Sequence, residues 1–245
     1  MGSPPYRFLF LHGLFGRGRN WTGIARQLQP FSSLMVDLPN HGDSPWTTHF
    51  SYSDMAESLA GLLSTLDKPV CLVGHSMGGR LAMLTALTHP EKVERLVVED
   101  TQPISILDND LQIYADAMTQ LPRALLGSRK EAREILYRSI RDERILDFLL
   151  QSLRLDSQGE WKWIFNLEVL RRDLAHVGTW PEISGVYDRP VMWITGSEST
   201  HVTPDPSSMK ALFPLTRHIR VKGASHWVHA DEPEIFAGAL RQFVT

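Results

Sequence analysis

Five residues of this 245-residue chain, Gly74-His75-Ser76-Met77-Gly78, stand between the apolar run Val70-Cys71-Leu72-Val73 and a stretch with helical periodicity from Met77 to about His89. Glycines two places before and two places after a serine permit a tight, strained strand-to-helix turn. The serine Oγ then projects clear of the sheet, because side chains at 74 and 78 would collide across the turn. The helix start behind Ser76 favours negative charge developing nearby. A serine so placed suits nucleophilic attack on an acyl carbon; the competing reading is a turn needed for geometry alone.

A free hydroxyl is a weak nucleophile at neutral pH and needs a base. In a strand–turn–helix setting of this kind the partners follow in the order acid, then histidine. His226, in Gly223-Ala224-Ser225-His226-Trp227, lies just after the last apolar strand and is the candidate base. His229 is three residues on and should point elsewhere, and His75 reads as a packed loop histidine or a pocket residue. Two carboxylates compete as the acid that holds the imidazole tautomer. Asp100 ends the strand Leu96-Val97-Val98, and Glu198 lies in the turn Thr195-Gly196-Ser197-Glu198-Ser199 after the strand Val191 to Ile194. On the residues alone both stay open.

Acyl transfer also needs backbone N–H groups aimed at the tetrahedral oxyanion, one from the residue after the nucleophile and one from an early loop. Met77 and Leu14 are the candidate donors, the latter in His12-Gly13-Leu14-Phe15-Gly16, with Phe15 a neighbouring possibility for donor or pocket. The same glycines would also serve a plain turn. Their order is wrong for a dinucleotide fingerprint, and no P-loop lysine accompanies them. Arg80, on the first turn of the helix after Ser76, either reaches an anionic substrate or covers surface. Trp161, Trp163 and Phe165 read as lid core or pocket wall, and Trp227 flanks His226 as a further pocket candidate. Asp37 and His41-Gly42-Asp43-Ser44 form a polar turn suited to bracing a sheet edge.

The elements that must position these groups alternate short apolar runs with amphipathic stretches, which predicts βα units and a parallel sheet. Strands are expected at Phe8–Leu11, Leu34–Val36, Val70–Val73, Leu96–Val98, Val191–Ile194 and Ile219–Val221, with a last helix from about Pro233 to Phe243. Asn20 is a candidate helix cap, and Ser51 with Asp54 and Ser128 with Glu131 have capping-box spacing. From about Ile104 to Gly185 the patterns are helical, with no convincing strand. The expected organisation is therefore one core, residues 1–103 and 186–245, interrupted by a helical cap over 104–185. Cys71 reads as a small core residue.

Hydrophobic residues make up 42% of the chain and charged ones 22%, which excludes a disordered or fibrous protein. A net charge of −3 leaves no electrostatic footprint for nucleic acid or anionic membrane. One cysteine gives no internal disulfide. No apolar run approaches the roughly 20 residues of a bilayer span. Met1 to Arg7 lacks a leader pattern, so a soluble cytoplasmic protein is the expectation. The ten histidines show no metal-ligand spacing, and no metal is expected.

Taken together, HGLFG at His12, DLPNHGDS at Asp37 to Ser44, GHSMGG at Gly74 to Gly79 and GASHWVHADEPEIF at Gly223 to Phe236 resemble the alpha/beta-hydrolases. Within them the chain looks most like the YbfF-type esterases, down to Trp163-Ile164-Phe165-Asn166-Leu167, which is similar to that group's Trp-x-x-Asn-Leu signature. The resemblance implies an α/β fold with a mostly parallel sheet, helices on both faces and an inserted cap, here with N-terminal edge strands shortened or absent. It also implies a serine esterase without a cofactor, acting on small to medium, mainly apolar acyl esters. In that group the triad acid sits at the end of the strand after the elbow helix and a serine replaces the later aspartate. Asp100 matches the first position and Ser199 the second. Arg80 stands where the esterases carry lysine and MenH-type synthases arginine, so a MenH-type lyase using the same triad for proton abstraction is the alternative. A non-catalytic ligand receptor on the same scaffold is another. Substrate identity and oligomeric state are not specified by these motifs.

Overall fold

Apolar runs buried on both faces become parallel strands once helices supply the crossovers. The computed structural model describes residues 7–106, 109–203 and 205–245, so the leader reading of the N-terminus falls mostly outside the described residues. In chain order the first elements are β1 (Phe8–Leu11), α1 (Thr22–Gln27), β2 (Ser33–Val36), α2 (Tyr52–Leu63), β3 (Val70–His75), α3 (Met77–Thr88) and β4 (Val93–Glu99). There follow α4 (Asn109–Gln120), α5 (Arg129–Leu136), α6 (Glu143–Leu150), β5 (Leu153–Leu155), β6 (Trp161–Trp163), α7 (Leu167–Arg172) and α8 (Leu174–Gly178). The chain closes with β7 (Val191–Gly196), α9 (Ser207–Leu212), β8 (Thr216–Val221), α10 (Val228–Asp231) and α11 (Pro233–Val244). These elements fall into two compact units: the described residues up to Asp37 with Ser51–Ser105 and Trp180–Thr245, and Leu38–Phe50 with Ile106–Thr179.

The first unit is built on a six-stranded sheet in the order β2-β1-β3-β4-β7-β8, every pair parallel. Side chains alternate across it with the two-residue period of a strand. Phe8, Phe10, Cys71, Val73, Val97, Met192 and Ile194 form one face, packed with Trp21, Ile24, Phe236, Leu240 and Val244 from the α1 and α11 regions. On the other face α3 lies on β3 and β4, and α2 lies on α3. Cys71 is fully buried, and that burial pushes its thiol up to about 12, as a core residue requires. Ser51 caps α2 by accepting the Asp54 N–H at 3.2 Å. Asn20 does not cap α1. It lies in a tighter single turn, Gly18–Trp21, where its side chain accepts the Arg17 N–H at 2.7 Å, and α1 begins after that turn. Among the described residues no helix is long and apolar enough to cross a membrane.

The second unit corrects the expectation of a purely helical insertion, because β5 and β6 pair antiparallel as a short hairpin. Asp156 makes the turn by accepting the N–H groups of Gln158 and Glu160, both at 2.9 Å, and Gly159 supplies the positive φ of 81°. Segment 38–50 belongs to this unit for a polar reason. Asn40 Oδ1 accepts from Asn166 Nδ2 at 3.1 Å, Gly42 N–H donates to the Ile164 carbonyl at 2.7 Å, and Phe50 N–H donates to Asp173 at 2.8 Å. Of the polar turn from Asp37 to Ser44, Asp37 ties the end of edge strand β2 to the loop after β1 by accepting the Gly18 N–H at 2.6 Å, while His41 bridges to Phe165. Trp163 stacks on Phe165 with ring centroids 5.5 Å apart and donates to the Met118 carbonyl at 3.3 Å, inside this unit's own core.

Candidate active site

Between β3 and α3 the backbone of Ser76 takes φ 53° and ψ −116°, a conformation costly for a residue with a Cβ. The neighbouring glycines make it possible. A Cβ on Gly74 would overlap the Gly78 carbonyl, and one on Gly78 would lie 2.6 Å from the carbonyl oxygens of Leu11 and His12. Ser76 N–H donates to the Glu99 carbonyl at 3.0 Å, and its own carbonyl accepts the Arg80 N–H at 3.0 Å, the first turn of α3. The serine is thus held at both ends, partly exposed between two rigid elements. The loop after β1 lies against this elbow, since a Cβ on Gly13 would meet His75 Nδ1 at 2.7 Å. Leu14, Phe15 and Met77 are buried, and Phe15 takes a positive φ of 61°.

His226 donates from Nδ1 to Asp100 Oδ2 at 2.7 Å. Asp100 is fully buried and has a positive φ of 48°, which turns it away from the strand direction of β4. Its Oδ1 accepts the Gly196 N–H at 3.0 Å, and the Ser199 hydroxyl donates to Oδ2. Burial pushes the Asp100 carboxyl up to about 6, against the opposing pull of those two donors and of His201. Burial also holds His226 well below the ordinary imidazole value, and His201 and His229 push in the same direction. A neutral ring with Nδ1–H committed to a carboxylate offers a lone pair at Nε2. Glu198, the other candidate acid, is exposed, and its carboxylate accepts from the Ser197 hydroxyl at 3.1 Å.

The remaining histidines are not idle. His75 donates from Nε2 to the His226 carbonyl at 2.9 Å, and burial keeps it too well below the usual imidazole value. His229 turns to the opposite carboxylate, Glu99, and Trp21 packs 4.3 Å from its ring. His201, which sequence reasoning passed over, lies with its ring centroid 3.9 Å from that of His226. Its backbone N–H donates to Ser199 Oγ at 3.1 Å. Trp227 meets the His226 ring edge-on at 5.5 Å. Arg80 is not a surface residue: it is 6% exposed and donates from Nη1 to the Ile104 carbonyl at 2.7 Å. Glu99 was also missed, although a carboxylate near the end of an apolar strand is itself a signal, because buried charge needs a partner. Among the described residues no group of three or more histidine, cysteine, aspartate or glutamate side chains is placed to hold a metal ion.

The chain has relatives. A mouse sn-1-specific diacylglycerol lipase, ABHD11, is 37% identical over 246 residues, covering 96% of this chain and 80% of that protein. Esterase YbfF of Escherichia coli K12 is 31% identical over 242 residues, covering 96% of this chain and 92% of its own. A solved marine microorganism esterase superposes with a TM-score of 0.94 at 29% identity, over 99% of this chain and 96% of that one. The model of the alpha/beta hydrolase family matches residues 8–239. With that match running through the whole parallel sheet, the chain belongs to the alpha/beta hydrolase family.

Proposed function

We propose that this protein is a carboxylic ester hydrolase that cleaves small to medium, mainly apolar acyl esters through an acyl-enzyme on Ser76. The observation that carries the reading is the buried 2.7 Å bond from His226 to Asp100 on a chain whose elbow already holds a strained, partly exposed serine. His226 Nε2 takes the Ser76 proton as Oγ attacks the acyl carbon, and Asp100 keeps the ring in the productive tautomer and stabilises the imidazolium. The N–H groups of Leu14 and Met77 hold the oxyanion. The tetrahedral adduct collapses by breaking the bond to the alkoxy oxygen, which leaves with the proton from His226. Water, deprotonated by the same imidazole, then releases the acid and restores Ser76. No cofactor enters these steps. The names of the relatives, esterase and lipase, support the same class of substrate.

The MenH-type elimination would give Arg80 an anionic substrate to bind. Arg80 Nη1 already donates to the Ile104 carbonyl, one of its five N–H groups, and it is the esterase and lipase relatives that favour hydrolysis. Ser76→Ala should abolish turnover of p-nitrophenyl acyl esters and labelling by a fluorophosphonate while leaving the melting temperature unchanged. Ester turnover retained by that variant overturns the assignment. A panel of esters of graded chain length reads the acyl preference.

A further inference from the structure

Glu99 and Asp100 are successive residues at the end of β4, both fully buried, and each meets a different histidine of the segment after β8. Asp100 takes His226. Glu99 takes His229 three residues later, its Oε1 accepting both the His229 backbone N–H and ring Nδ1–H at 2.8 Å, with Oε2 2.9 Å from the same Nδ1. The Glu99 carbonyl meanwhile accepts the Ser76 N–H at 3.0 Å. One residue therefore holds the backbone of the nucleophile with its main chain and the segment carrying the base with its side chain. The His229 ring is boxed in by Trp21, by Phe236 and by His75, whose own Nε2–H holds the His226 carbonyl.

We propose that Glu99 and His229 form a positioning pair that sets the distance between Ser76 Oγ and His226 Nε2, so that their removal costs turnover rather than substrate binding. The inference rests on the proposed roles of Ser76 and His226. His229 does not act on substrate. The Glu99 clamp fixes where His226 begins, and Asp100 fixes which way its ring faces. A displacement near 1 Å in such a site is worth on the order of a hundredfold in rate.

The test pairs Glu99→Val with His229→Phe in one double variant. It removes both polar side chains and fills their space with apolar atoms, although the His229 backbone N–H then loses its Glu99 acceptor. Expected are a 10- to 100-fold fall in kcat on a p-nitrophenyl acyl ester, an equal slowing of fluorophosphonate labelling at Ser76, and a KM within about twofold. Glu99→Gln, whose Oε1 can still accept from His229, should recover most of the kcat. A folded double variant with wild-type kcat, or a loss carried by KM alone, overturns the proposal. If the double variant aggregates, Glu99→Asp decides. It keeps the charge but retracts the carboxylate by about 1.5 Å, and a kcat unchanged from wild type overturns the clamp while a tenfold fall at constant KM supports it. Wild-type protein unlabelled at Ser76 would sink the esterase reading and this one with it; wild type labelled at Ser76 with clamp variants labelled equally fast sinks only the clamp.

Discussion

Replacing Asp100 by asparagine separates catalysis from stability, and its consequences follow from who donates to which oxygen. Gly196 N–H is a backbone donor that cannot turn, so the asparagine must keep its carbonyl oxygen there and place its NH2 where Oδ2 was. That NH2 faces His226 Nδ1 and Ser199 Oγ. The serine hydroxyl can rotate to accept, but the imidazole must surrender its Nδ1 proton and carry it on Nε2. It then cannot take the Ser76 proton. Trapping the wrong tautomer costs about 10⁴ in kcat, or about 5.5 kcal/mol of transition-state stabilisation. Stability moves the other way. The Asp100 carboxyl titrates near 6 in the fold against 3.8 in a free chain, so the fold favours the protonated acid and the carboxylate destabilises it. That cost is absent below 3.8 and complete above 6, where it reaches about 3 kcal/mol. A neutral asparagine avoids it. At pH 8 the variant should melt no lower than wild type while its kcat/KM, corrected for active sites, falls by about four decades. Glu198→Gln, altering an exposed group, should stay within about twofold. A folded Asp100→Asn with more than about 1% of wild-type kcat/KM, or an equal loss in Glu198→Gln, refutes the reasoning.

The acid side of the pH–rate profile tests the same pair. The reactive form needs Asp100 ionised and His226 neutral, so kcat/KM should be full above about pH 7 and fall with one-proton slope as the pair protonates near pH 6; a flat profile between pH 5 and 8 contradicts this. Ser199→Ala removes a donor that pulls the Asp100 carboxyl down, so its acid limb should move to higher pH, and a limb that stays in place argues against the shared Oδ2. Gly78→Ala puts a methyl 2.6 Å from two carbonyl oxygens of Leu11 and His12. It should cost roughly 1–3 kcal/mol in a thermal or denaturant melt and slow Ser76 labelling at least tenfold, whereas wild-type labelling would show that the elbow tolerates a side chain.

What could be read from the residues, and what could not, divides by whether the deciding contact is local. The elbow was legible because the clash that demands Gly74 is with the Gly78 carbonyl, four residues on; the clash that demands Gly78 is with the distant carbonyls of Leu11 and His12, and only the motif pointed to it. The sheet was legible because β1, β3 and β7 each hold an uninterrupted apolar run of four residues and β2 and β4 one of three, while β8 shows only the alternation Ile219-Arg220-Val221. The β5–β6 hairpin was not, since three-residue strands hardly establish a period, although Trp161-Lys162-Trp163 alternates and Asp156 to Gly159 is turn chemistry. Arg80 could not be placed, because its burial depends on a carbonyl at Ile104 beyond the next strand. The acid is the sharpest case. Asp100 and Glu198 follow neighbouring parallel strands, β4 and β7, whose register pairs Glu99 with Ile194, so composition and spacing put either carboxylate near the same histidine. The geometry separates them through the positive φ at Asp100 and the Gly196 N–H it captures, neither of which is written in residue type. The pattern that was written, and overlooked, is a pairing of spacings. Successive residues at a strand end project to opposite sides, while residues three apart entering a helix lie about one turn apart. Glu99-Asp100 is the first arrangement and His226 with His229 the second. Two buried carboxylates one residue apart could each find an imidazole only because the histidines are spaced to meet them, which is why the second histidine of that segment belongs with Glu99 and is not a spare base.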